Sequence, residues 1–379
     1  MLSSASRPAP PRFGGSTFPN LWGPWITFDP VKFKADPAGG CGWCSAYVTD
    51  YNAEALVFGA FSSNKLEQLD SYIQLVTAFL PEARKGAIAT ARLASTFPGR
   101  NASLLQCVLA APDALHFPAG LAPFGMPSGG NGPSPGGDWG LRWPGLYVTM
   151  PVLWTYEYFG NATFGRQTVL PLLRGLASFF RCWMERRPVA GTEEYVLEDA
   201  DDNLSEMGWW MGCAEGRGPA CSRWKNVIMT VAFLKRLYST LPVIAAELGE
   251  PVEPWWEEMF VHLPAYPRTN TQVCRQEPLG QPHCYNDTKR CPCKNVTIFT
   301  MADNGTDDKG NAEKTMVSAY YSLWPVFPSE HLDADSLGID GRVASSTTSL
   351  ASVEPTSLAV IDLPSTIKMS AGRTTENPW

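Results

Sequence analysis

Apolar residues recur at three- and four-residue spacing through segment after segment of this chain, and nowhere do they alternate convincingly at a period of two. That pattern constrains the fold more than any motif, because a 3.6-residue period puts one stripe of each segment on a common face, as in helices packed on helices. Leu66, Leu69, Ile73, Val76 and Leu80 form such a stripe. Asn64 stands before it as an N-cap, with Glu67 three residues on as a capping-box partner. Residues 50–62 read as a short apolar helix and 83–95 as a further helical stretch. Residues 145–159 form an aromatic helix carrying Tyr147, Trp154, Tyr156 and Tyr158. The spacing of Leu170, Leu173, Leu176, Phe179 and Phe180 predicts another over 165–186. A long one over 225–248 is kinked at Pro242 and stopped by Gly249 and Pro251. A last helix is expected over 313–327.

The connections are long: a Gly/Pro-rich loop over 116–142, a loop over 196–222 that is acidic and then Gly-rich, and a polar stretch over 268–311. Helix pairs without strands imply a bundle, a solenoid or an (α/α) toroid. No repeat of fixed length supports the solenoid. Long loops bearing Trp and carboxylates favour the toroid, whose site is a funnel built from loops at one end. The expected fold class is therefore all-α, an incomplete (α/α)6 toroid over 18–340 with a Cys-rich glycosylated insertion at 268–311. Residues 1–17 read as a disordered or cut linker, and the Ser/Thr-rich residues 341–379 as a disordered tail.

Composition narrows the function. The chain has 379 residues, is 44% hydrophobic and only 18% charged, with a net charge of −7. An acidic chain repels phosphate backbones, which argues against a nucleic-acid partner. No run of 18 apolar residues predicts a membrane span. The 14 tryptophans lean towards carbohydrate, whose C–H faces stack on indole rings, against the plainer reading of core packing. Ten cysteines are present. The short loop between Cys213 and Cys221 could close as a disulfide, and Cys274, Cys284, Cys291 and Cys293 cluster in the polar stretch. Six of the 14 asparagines, Asn101, Asn161, Asn203, Asn286, Asn295 and Asn304, stand in Asn-x-Ser/Thr sequons. Cysteines and sequons together point to a secreted or lysosome-like compartment. The N-terminus shows no apolar signal segment, which is reconciled if the true start lies upstream.

Two stretches carry candidate chemistry. The first runs from Cys41 through Trp43, Asp50, Tyr51 and Asn52 to Glu54. A carboxylate and an amide two residues apart, before an apolar helix and after an aromatic loop, suit the holding of one water; the alternative is helix capping by Asp50. The second runs from Asp199 through Asp201, Asp202 and Glu206 to Trp209 and Trp210. Crowded carboxylates beside apolar rings have raised pKa values, as a general acid requires, and Glu206 is nearest the tryptophans. A solvated acidic turn and an oxygen-ligand Ca²⁺ site compete with that reading, although the spacing is not that of an EF-hand. His283, Cys284, Cys291 and Cys293 fit no common zinc spacing, and the sequons at Asn286 and Asn295 favour surface disulfides there. His116, His262 and His331 form no cluster, and no Ser-His-Asp set, P-loop or dinucleotide fingerprint is present.

The order of these pieces resembles the catalytic domain of glycoside hydrolase family 95, mostly α-L-fucosidases, in the six-hairpin glycosidase superfamily. Leu21-Trp22-Gly23-Pro24-Trp25 followed by Trp43 to Glu54 is similar to the family's opening segment, in which an Asn-x-Asn pair starts a helix. Ser63 to Glu67 is similar to its Asn-Leu-Ser-Glu turn, within the family helix that Ala60 to Ala87 resembles. Trp154 to Asn161 with Leu170 to Leu173 resembles its aromatic helix pair, and Trp324 to Glu330 its later Tyr-Pro-Gly segment. The match covers roughly residues 18–335 in order.

The resemblance implies an (α/α)6 toroid that hydrolyses a terminal sugar with inversion. It implies Glu206 as general acid, Asp50 and Asn52 as the residues that orient or deprotonate water, and Tyr51, Trp43, Trp209, Trp210 and Asp202 as the sugar-binding set. The expected partner is an oligosaccharide or glycan, with no metal and no organic cofactor. Asp50 departs from the family's Asn, which opens the alternative of another sugar: a rhamnoside, a galactoside or an α-glucoside. Val317, Ser318, Ala319 and Tyr320 stand where the family has a histidine-rich run. No counterpart of the family's later aspartate or its preceding β-sandwich is found. The chain is therefore expected to be a fragment, with an inactive, glycan-binding toroid as the other alternative.

Overall fold

The computed structural model describes residues 47–49, 51–95, 103–121, 141–198, 226–274, 293–299 and 329. The described residues are mostly helical, as an all-α chain requires. In chain order they form β1 (Tyr47–Val48), α1 (Asn52–Ser62), a tight turn (Leu66–Gln68), α2 (Leu69–Ala78), α3 (Leu80–Ala94), α4 (Leu104–Ala110), β2 (Gly120–Leu121) and α5 (Pro144–Phe159). Then come a short turn (Ala162–Phe164), a wide turn (Gly165–Val169), α6 (Leu170–Trp183), β3 (Glu185–Pro188), β4 (Tyr195–Glu198), α7 (Ile228–Glu247), α8 (Pro254–His262), β5 (Arg268–Cys274) and β6 (Cys293–Phe299).

The core lies where α5 meets its neighbours. Almost every residue of α5 from Pro144 to Val152 is buried, because the helix is apolar all round and packs on α1, α2, α6 and α7. Tyr147 stacks on Phe233 with ring centroids 5.4 Å apart, joining α5 to α7. Pro151 lies inside α5 and removes one helical N–H; next to that gap the Thr155 hydroxyl donates to the Pro151 carbonyl at 2.7 Å. On α3 the buried stripe is small, Ala83, Ala87 and Ala91, which allows close approach of α4 and of the 111–117 segment. The disulfide Cys107–Cys182 ties α4 to α6, 75 residues apart in sequence. The Tyr238 hydroxyl donates to the Ala177 carbonyl at 3.0 Å, holding α7 on α6. By length and composition α7 could cross a bilayer, but 72% of its apolar window is buried inside the fold, which accounts for its composition.

Several expectations change. The helices over 50–62, 83–95, 145–159 and 225–248 are present within a few residues, and α7 ends at Gly249 (φ 70°) as its sequence predicts. Asn64 is not an N-cap. It sits at φ 54° with its N–H donating to the Phe61 carbonyl, while the Lys65 N–H reaches the Ala60 carbonyl at 2.9 Å. Those two bonds close the C-terminus of α1, and Asn is the residue besides Gly that best tolerates this left-handed position. The helix expected over 165–186 begins with the wide turn and ends at Trp183. The helices α4 and α8, of seven and nine residues, are additions.

Strands are present, contrary to expectation, as three antiparallel pairs. Tyr47 pairs with Leu121, Glu185 with Glu198, and Arg268 with Phe299, the last ladder running to Cys274 opposite Cys293. The first two pairs are too short to show alternation, and β3 (Glu-Arg-Arg-Pro) has none. The third lies in the insertion expected at 268–311, where Thr269, Thr271, Val273, Val296, Thr297 and Ile298 carry the β-branched signal that its polarity obscures. The helix expected over 313–327 and the terminal segments 1–17 and 341–379 lie outside the described residues.

Candidate functional site

Of the two candidate stretches, the start of α1 falls among the described residues. The chain reaches it along β1, pinned to the segment before β2. The Thr49 N–H donates to the Ala119 carbonyl at 2.9 Å and the Thr49 hydroxyl to the Pro118 carbonyl at 2.7 Å, and Thr49 is buried. Tyr51 then adopts φ 156°, ψ −40°, a combination rare for a residue with a Cβ, and Asn52 opens the helix. The N-cap position belongs to Tyr51, whose side chain makes no capping bond. Asn52 therefore stands at the end of an 11-residue helix where the first N–H groups lack helical partners and the dipole is positive. Such a position suits the polarising or holding of an oxygen.

An aromatic ladder rises beside it. The Tyr51 ring, 40% exposed, meets Phe58 edge-on at 6.5 Å. Phe58 meets Trp154 at 5.6 Å and Phe61 meets the same Trp154 at 5.7 Å, both edge-to-face. Phe58, Phe61 and Trp154 are partly buried against the core. The ladder joins α1 to α5 and ends in an exposed phenol ring next to Asn52.

Glu54 faces the other way. Two residues along a helix is a turn of about 200°, so Asn52 and Glu54 occupy opposite sides. Glu54 is fully buried in the first turn of α1, where a carboxylate complements the helix dipole. Its charge adds to burial in holding the Tyr72 hydroxyl well above the usual tyrosine range, and that hydroxyl donates to the Val148 carbonyl at 2.8 Å. Glu54 thus sits in the core beside Tyr72 of α2. In the sequence its sign is a lone carboxylate in the first turn of an apolar helix.

A second polar cluster joins the β3–β4 hairpin to α8. Glu258 accepts from the Tyr195 hydroxyl at 2.5 Å and pairs with Arg186. His262 lies flat on the Tyr195 ring at 3.8 Å, with its Nδ1 2.8 Å from the Glu258 carbonyl oxygen. The Tyr195 hydrogen bond, with Arg186 behind it, pulls the Glu258 carboxyl below its usual range. The cluster fastens the β3–β4 hairpin to α8. His116 is also accounted for: it is buried, its ring 4.9 Å from Phe179 and its Nδ1 3.4 Å from the Thr90 hydroxyl.

The structure links Tyr51 through Phe58 to Trp154, with Asn52 next to Tyr51 at the start of α1. Asp50, Trp43, Asp202, Glu206, Trp209 and Trp210 lie outside the described residues, as do His283, Cys284, Cys291 and His331. Among the described residues no group of three or more His, Cys, Asp or Glu side chains could hold a metal ion. No protein-family model matches the sequence, and no curated protein matches it.

Proposed function

We propose that the chain carries the catalytic part of a secreted helical-toroid glycoside hydrolase, α-L-fucosidase-like, that releases a terminal sugar with inversion. The observation that carries this reading is the ladder from Tyr51 to Trp154. Tyr51, in one segment of the family resemblance, is linked there through Phe58 to Trp154 in another, about 100 residues on in the chain, and Asn52 follows Tyr51 at the start of α1. The mostly helical core supports an (α/α)6 toroid, and the Cys107–Cys182 disulfide supports an oxidising compartment.

In this mechanism Glu206 donates its proton to the glycosidic oxygen as the bond to the anomeric carbon breaks. Asn52 orients a water on the opposite face, and Asp50 takes its proton. Inversion requires the two carboxyl groups to stand about 6.5–9.5 Å apart, the separation that leaves room for the water. Tyr51, Trp43, Trp209 and Trp210 stack on the sugar, and Asp202 binds its hydroxyls. The residues so assigned need neither a metal nor an organic cofactor for these steps.

The test is turnover of methyl α-L-fucoside, whose alkoxide leaving group needs protonation, by the full chain and by Glu206→Gln. The variant is expected to lose about 10²–10⁴-fold in kcat with substrate binding unchanged. Full turnover by Glu206→Gln would remove the acid assignment. Two specific features favour other readings. Asp50 in place of Asn favours a different sugar, which a panel of aryl rhamnosides, galactosides and α-glucosides separates. Val317 to Tyr320 in place of the histidine-rich run favours a toroid that binds glycans without cleaving them, seen as retention on a glycan array with no turnover on the panel.

A further inference from the structure

Between α5 and α6 the chain reads Tyr158-Phe159-Gly160-Asn161-Ala162-Thr163. Tyr158 and Phe159 are 50% and 45% exposed, two large rings packed edge-on against each other at 5.6 Å and open to solvent. Gly160 takes φ 63° and its N–H closes α5 on the Tyr156 carbonyl at 2.7 Å. That left-handed position lets the chain turn sharply between the exposed Phe159 and Asn161, two residues on. Asn161 and Thr163 are themselves exposed. The Asn161 Oδ1 accepts from the Thr163 and Phe164 N–H groups at 3.0 and 3.1 Å, capping the next turn.

We infer that Asn161 is an N-glycosylation site, and that the first N-acetylglucosamine of its glycan packs on Phe159. Asn161 belongs to the sequon Asn161-Ala162-Thr163, and the cap uses only Oδ1. The amide nitrogen is therefore available for a glycosyl bond without loss of the capping interaction. In the modification a bond forms between Asn161 Nδ2 and the anomeric carbon of a lipid-diphosphate-linked oligosaccharide. The bond from that carbon to the diphosphate oxygen breaks, the lipid diphosphate leaves, and one amide proton goes to solvent. The apolar face of the first sugar then covers ring surface that the bare protein exposes at Phe159. The inference rests on the secretory reading of the chain and is independent of hydrolysis.

The full chain is produced behind a cleavable secretory leader in a glycosylating eukaryotic cell, and the tryptic peptide 143–166 is examined before and after N-glycosidase treatment in ¹⁸O-water. The expected result is a glycan on that peptide and conversion of Asn161 to labelled Asp on its removal. An unmodified Asn161 in secreted, folded protein overturns the site. The ring contact is tested with Phe159→Ser, which keeps the sequon. Enzymatic deglycosylation is expected to lower the Tm of the parent chain by roughly 2–4 °C, the shift for a contact of aromatic-pair strength in a domain of this size, and to leave the Tm of the variant nearly unchanged. Equal shifts in both proteins overturn the packing of the sugar on Phe159.

Discussion

Gly175 lies where α6 meets the 111–117 segment, and its carbonyl accepts from the Leu115 N–H at 2.9 Å. A Cβ there would overlap the Leu115 side chain and stand 2.6 Å from the Asp113 carbonyl oxygen. Backbone on one side and a packed leucine on the other leave little room to relax. Gly175→Ala is therefore expected to lower the unfolding free energy by about 1–3 kcal/mol, measured by urea denaturation; a variant as stable as its parent contradicts the close approach. The start of α1 shows how far single residues are legible in the sequence. The helix start was readable from the apolar run that follows Asn52. The side each residue faces was not, because it depends on where the cap falls. With the cap at Tyr51, Asn52 is partly exposed and Glu54 enters the core. Asn64 was misplaced for a related reason: an Asn between two helical stretches can close the first or open the second, and hydrogen bonds to Ala60 and Phe61 decide it.

At the scale of elements, the disulfide joins α4, the shortest of the eight helices among the described residues, to α6. A helix of seven residues gains little from its own hydrogen bonds and depends on what it is fastened to. Replacing both Cys107 and Cys182 by Ala is expected to cost about 2–4 kcal/mol, and peptide mapping without reductant is expected to recover the two segments linked. Free thiols at both positions in oxidised protein contradict the bridge. The long helices α5 and α7 were readable because their apolar period runs for several turns. The disulfide was not, since ten cysteines allow many pairings and spacing does not choose among them. The three strand pairs escaped notice because pairing between segments that are distant in sequence, such as Tyr47 with Leu121, leaves no local mark.

Across the whole molecule the core carries hydroxyls that resist ionisation. Burial, helped by the Glu54 charge, holds Tyr72 well above the usual tyrosine value; burial does the same at Tyr238, against the opposing charge of Arg181, and at Tyr266. Above about pH 10 the unfolded chain loses these protons while the native chain keeps them, so the native state binds more protons. Stability is thus fully present below pH 10 and falls as the pH rises, each such tyrosine contributing a slope of up to about 1.4 kcal/mol per pH unit. Urea unfolding followed from neutral to strongly alkaline pH is expected to show this decline, with a shallower slope in Tyr72→Phe; a flat profile contradicts it. The helical character of the described residues was legible from period alone. The measurement that tests the central claim most directly is proton NMR of the anomeric signal during hydrolysis of methyl α-L-fucoside, whose poor leaving group requires the acid. The account predicts that β-L-fucose appears first and that Glu206→Gln releases it far more slowly. Absence of hydrolysis by the full chain, or first release of the α-anomer, would contradict it.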